Sequence, residues 1–174
     1  MSDAVTSIYV MPALGGAERK VAEGHFALRD IFSRRIAWSP DCRFLVAAEG
    51  TSVDAPTFLS LIKVETGEKI RLTTPPEPET SDIDPAFSTD GHKLLFTRCG
   101  EAKCGLYVLH LGRDYRAVGK ATSLKQEGQD IEGAVWTPDG KDVIYSLFGA
   151  DQNASIMRVR AKPRCTAGTR YVCR

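Results

Sequence analysis

Three stretches of this chain are worn copies of one another. Ile36-Ala37-Trp38-Ser39-Pro40-Asp41-Cys42, Pro85-Ala86-Phe87-Ser88-Thr89-Asp90-Gly91 and Ala134-Val135-Trp136-Thr137-Pro138-Asp139-Gly140 place a large aromatic at 38, 87 and 136, two intervals of 49 residues. A fixed period of that length means one supersecondary unit stacked on copies of itself. The copies also carry their own turn chemistry. Pro138 presets φ for the first turning position, Asp139 suits the second, and Gly140 accepts the left-handed conformation that follows. This predicts a type I turn with a G1 bulge joining two strands. Cys42 stands where the other copies have Gly, at a cost of about 1 kcal/mol if the turn keeps its shape.

Strands flank each turn. After it come Phe44–Ala48, Lys93–Thr97 and Asp142–Ser146; further on, Ser7–Met11, Leu59–Val64 and Leu106–Leu109 each lead through a glycine turn into an outer strand. Four-stranded units repeated at 40–50 residues are the pattern of β-propeller blades. The expected fold is all-β, a partial propeller of about three four-stranded blades plus a leading half blade. Residues 1–22 supply the last strands of an incomplete blade, 23–73 a blade, 74–124 a second, and 125–161 an incomplete third. From Lys162 the register is lost, and 162–174 reads as an irregular tail. Thr74-Pro75-Pro76-Glu77-Pro78-Glu79 suits an extended loop crossing between blades. Within the first blade, 23–35 fits no strand position.

Charge is nearly balanced at +1, with 26% charged and 43% hydrophobic residues, which points neither to a nucleic-acid partner nor to disorder. No apolar run reaches the roughly 18 residues of a membrane span, and the first residues do not read as a signal peptide. Five cysteines stand at 42, 99, 104, 165 and 173. Cys99 and Cys104 fall in a loop between two strands, where a hairpin brings them within bridging range; a disulfide and two reduced thiols both remain open. A lone C-x4-C pair is poor evidence for zinc, and neither a metal nor a cofactor is expected.

Ser7-Ile8-Tyr9-Val10-Met11-Pro12-Ala13-Leu14-Gly15-Gly16, with the Trp-Ser-Pro-Asp and Trp-Thr-Pro-Asp-Gly turns, resembles the TolB-like propeller repeat over about residues 7–161. The segments 104–109 and 133–140 are most similar to propellers carried by bacterial CadC-like winged-helix regulators. The resemblance implies a non-catalytic interaction or sensor module in the periplasm, with a protein or peptide partner. A complete six-bladed ring of this period needs about 290 residues. The chain is therefore read as a fragment of a longer protein, or as half of a ring that two copies close edge to edge. The alternative function is the substrate-gating propeller of a prolyl-oligopeptidase-like peptidase whose catalytic domain lies elsewhere.

Asp82 and Asp84 precede one inner strand, and Asp130 and Glu132 the next. If these positions gather at the channel mouth, four carboxylates form an acidic funnel for a cation or basic peptide; otherwise they are solvated loop acids and strand caps. His25, His92 and His110 fall in unrelated places, and no nucleophile elbow, zinc-protease helix motif or phosphate loop occurs. No enzyme is expected. Trp38, Phe87 and Trp136 read as inter-blade core rather than a stacking platform, and Arg34-Arg35 and Lys162–Arg164 are too sparse for nucleic-acid binding.

Overall fold

The computed structural model describes residues 5–26, 36–100, 104–126, 130–148 and 153–161. Every regular element among them is a strand. In chain order they are β1 (Thr6–Val10), β2 (Arg19–Phe26), β3 (Ile36–Trp38), β4 (Phe44–Gly50), β5 (Phe58–Lys63), β6 (Lys69–Arg71) and β7 (Ser81–Phe87). There follow β8 (Lys93–Cys99), β9 (Cys104–Leu111), β10 (Ala117–Gln126), β11 (Asp130–Trp136), β12 (Asp142–Phe148) and β13 (Ala154–Arg160). They form three antiparallel sheets. The first holds β1 to β6, the second runs β10-β9-β8-β7, and the third runs β11-β12-β13.

The turn between the first two strands of each unit is built the same way three times. Ser39, Ser88 and Thr137 donate their hydroxyls to Asp41, Asp90 and Asp139 at 2.7, 2.6 and 2.7 Å. Each Asp also accepts a backbone N–H two residues on, from Arg43, His92 and Lys141. Cys42, Gly91 and Gly140 all take left-handed φ, at 59°, 72° and 65°. Cys42 thus keeps the glycine conformation despite its Cβ.

Period-2 alternation then divides the strands between two packing faces. On β4, Leu45 and Ala47 pack with Ile8, Val21 and Phe26 of the leading strands, while Val46 and Ala48 pack with Leu94, Phe96, Leu109 and Leu111 of the second sheet. On the second sheet, Leu95, Leu106 and Val108 face Ile131, Val143 and Tyr145 of the third. Two of the three cores therefore lie between sheets, so the sheets stack face to face, and the third lies between the leading strands β1 and β2 and the rest of the first sheet.

The leading strands depart from the expected division. β2 runs past residue 22 to Phe26, and its end pairs with β4 at His25↔Gly50 and Phe26↔Glu49; β3 continues along the same edge at Ile36↔Ala47. The inner strand of the first unit is thus β2's end plus β3, interrupted by residues 27–35, which lie outside the described residues. The break lies opposite Ala48, one station from the place where β7 and β11 carry bulges, opposite Phe96 and Tyr145. Of the segment 23–35, for which the sequence offered no strand position, 23–26 therefore belong to β2.

The aromatic anchors differ in their surroundings, contrary to expectation. Phe87 packs edge-on against Tyr115, ring centroids 5.6 Å apart. Trp136 donates its indole N–H to the Ala86 carbonyl at 3.0 Å and lies under the Lys93 ammonium. Trp136 thus reaches back onto the preceding sheet, while Phe87 contacts the β9–β10 turn of its own sheet at the margin of the core it shares with the first. Trp38 is 47% exposed, because the only strands described ahead of it, β1 and β2, correspond to the outer half of a unit.

Candidate binding site

On β8, Leu94, Phe96 and Arg98 share one face, and the first two are wholly buried. That row puts a guanidinium into the space between sheets. Asp82, directly across on β7, meets it with two hydrogen bonds, Arg98 Nε to Oδ1 at 2.6 Å and Nη2 to Oδ2 at 2.9 Å. Asp82 is 0% exposed and the Arg98 side chain 14%. The guanidinium also lies over Phe96 and Tyr107, 5.4 and 4.9 Å from their centroids. Its hydrogen bond to Asp82 raises the Arg98 pKa further above its ordinary value, although burial acts in the opposite direction. A desolvated, bidentate pair of this kind holds both groups in one geometry.

The expected acidic funnel takes a different form. Asp82 is neutralised by Arg98, and Asp84 is 1% exposed, so neither presents open charge to solvent. Asp84 takes φ 54°, where the third unit has Gly133 at φ 61°: it is the left-handed residue of the bulge, a role Asp tolerates better than most residues. Nor are the two pairs of acids equivalent. Cross-strand register matches Asp82↔Arg98 to Ile131↔Leu147, and Glu132 instead faces Ser146. Glu132 is one place out of step with Asp82, and one place reverses the face of a strand. Asp130 begins β11 opposite Phe148; its side chain lies outside the described residues. Cys99 and Cys104 are opposite one another at the end of the β8–β9 hairpin and are joined by a disulfide. Cys42 is free and exposed, and Cys165 and Cys173 lie outside the described residues.

Two clefts flank the proline-rich loop 74–79. One, of about 310 Å³, is lined by Pro56, Phe58, Arg71, Pro75, Pro78 and others; Arg71 stacks on Phe58 at 3.8 Å and donates to the Thr73 carbonyl. The other, of about 530 Å³, lies between the outer part of the first sheet and the second. Its apolar lining is Leu72, Leu109 and Ala121; its polar lining includes Thr73, Thr74, Arg98 and Lys120. Pro75, Pro76 and Pro78 lack amide hydrogens and keep this segment out of the sheets; instead of running extended to its end as expected, it bends and closes in a turn in which the Thr80 N–H donates to the Glu77 carbonyl at 3.1 Å. Arg98 and Lys120 belong to none of the motifs or site residues read from the sequence. The signal for Arg98 was present: a cation at the third place of an otherwise apolar alternating row.

No protein-family model and no curated protein matches the chain. Solved structures do. TolB from Acinetobacter baumannii superposes with a TM-score of 0.66 at 21% identity, over 89% of this chain and 35% of that one. A structure from Agrobacterium tumefaciens assigned as TolB gives 0.65 at 16% identity, covering 89% and 53%. The chain folds as part of a β-propeller. Prolyl oligopeptidase B from Galerina marginata gives 0.61 at 18% identity, covering 90% of this chain and 24% of that one. At these identities the likeness establishes the fold alone, of TolB-like and prolyl-oligopeptidase propeller type. The chain spans between a quarter and about half the length of these structures.

Proposed function

We propose that this propeller segment is a non-catalytic interaction or sensor module, working in the periplasm as part of a longer protein such as a winged-helix regulator, with a protein or peptide partner. The observation that carries the reading is an uncovered inter-blade face. Leu59, Leu106 and Ile156 occupy one station, opposite Ala48, Thr97 and Ser146. The first two are 0% exposed and Ile156 is 75% exposed. In the first two units that face is covered by the following sheet, so the third sheet offers a surface shaped for another blade, as Trp38 does at the opposite end. Apolar surface of this kind marks an interaction site. Further blades of one longer polypeptide, or a second copy meeting it edge to edge, both supply the cover.

The likeness to prolyl oligopeptidase favours a second reading, a propeller that gates access to a separate hydrolase domain. The deciding experiment uses the full polypeptide of the uninterrupted reading frame containing this sequence, treated with a fluorophosphonate probe. No labelling is expected, together with loss of quencher access to Trp38. Active-site labelling of a linked hydrolase domain overturns the interaction reading in favour of the gate.

A further inference from the structure

The larger cleft has a cation more than it has anions. Asp82 takes two of the Arg98 donors, Nε and Nη2; among the described residues Nη1 makes no hydrogen bond, and Lys120 at the rim makes no ion pair. One more negative charge balances the set. Beside these donors the lining is apolar: Leu72 and Leu109 are buried, and Ala121 is half-buried. A volume of about 530 Å³ lies within the range of small-molecule sites.

We propose that this cleft binds a small organic monocarboxylate with an apolar body, the carboxylate held by Arg98 Nη1 and Lys120, the body lying on Leu72, Leu109 and Ala121. Asp82 fixes the guanidinium in the cleft, so Arg98 loses little side-chain freedom on binding. The nearby Asp82 carboxylate also sets the charge limit. Two cations against Asp82 and one monoanion leave the site neutral, whereas a phosphate dianion adds an uncompensated charge in a poorly solvated place. The proposal goes beyond the interaction-module reading and stands whatever the longer protein does.

The test is titration calorimetry of the 174-residue chain with octanoate, octanamide and inorganic phosphate, repeated on Lys120→Glu and Thr74→Glu. Both substitutions lie at exposed rim positions, and thermal melts check that each variant folds as the parent does. Saturable octanoate binding is expected, with octanamide and both variants weaker by about tenfold or more, the loss of one charge-assisted contact. No saturable octanoate heat up to about 5 mM, octanamide binding as well as octanoate, or unchanged affinity in Lys120→Glu overturns the proposal. Phosphate binding more tightly than octanoate overturns it as well, in favour of a general anion site.

Discussion

Removing one partner of the Asp82–Arg98 pair should be severe, and removing both should not. Asp82 is fully buried and Arg98 nearly so, so Asp82→Ala strands a guanidinium between two sheets. Breaking a buried pair in this way costs about 3–5 kcal/mol. For a chain of this size that lowers Tm by about 10 °C. The double substitution Asp82→Ile/Arg98→Leu installs the residues that the third unit holds at the same cross-strand station, Ile131 opposite Leu147. Ile131 is buried at that station in the same fold, so the apolar pair has a demonstrated fit. The double variant should therefore fall within about 1 kcal/mol of the parent, leaving a coupling energy of about 2 kcal/mol or more. Urea unfolding of the parent, Asp82→Ile, Arg98→Leu and the double variant measures it, with Asp82→Ala as a separate check on the stranded guanidinium. If Asp82→Ala loses under about 1 kcal/mol, or the double variant loses the sum of the singles, the pair is not the buried, mutually dependent unit described above.

Cys42→Gly should stabilise the chain by about 0.5–1 kcal/mol in urea unfolding, since it relieves a Cβ at φ 59° and restores the residue of the other two turns. Acid should destabilise the fold through the same turns. The Asp41 carboxyl is held down at about 2, because hydrogen bonds from Ser39 and Arg43 outweigh the upward push of burial; Asp90 and Asp139 are lowered chiefly by the Ser88 and Thr137 hydroxyls. Carboxylates depressed in the folded state contribute fully above their unfolded pKa near 4, and the contribution disappears as pH falls through the folded values. Thermal melts should therefore fall steeply from about pH 4 to pH 2, and replacing Asp41 with Asn should flatten that slope. Reduction of the Cys99–Cys104 disulfide, which closes a short loop with a sequence separation of 5, should cost about 2 kcal/mol, read as a shift in the urea midpoint. In a Trp136→Phe variant of the isolated chain, the remaining Trp38 fluorescence should be strongly quenched by iodide, because the indole is 47% exposed.

What the sequence disclosed and what it hid follow from the range of the interactions concerned. The three turns were legible because all their determinants lie within five residues: hydroxyl, proline (Thr89 in the second copy), carboxylate and left-handed residue are contiguous, and chain period needs only counting. The stacking of sheets was legible from the repeat, since a four-stranded unit copied at a fixed period is expected to pack on its neighbours. The ion pair was not, since Asp82 and Arg98 are 16 residues apart and become neighbours only through a bulge between Ile83 and Ala86. The expected acids were misaligned for a different reason, because the third unit carries the equivalent bulge between Glu132 and Val135. Counting from the aromatic anchors places Asp82 level with Ile131, but grouping the acids by type places it beside Asp130 and Glu132, and a strand does not forgive one residue. The same station is apolar in one unit and ionic in another because the fold requires only that it be filled and paired. An ionic filling confers something an apolar one cannot: a guanidinium with a donor to spare. The units that repeat define the scaffold, and the station where the repeat changes chemistry is where recognition is to be sought.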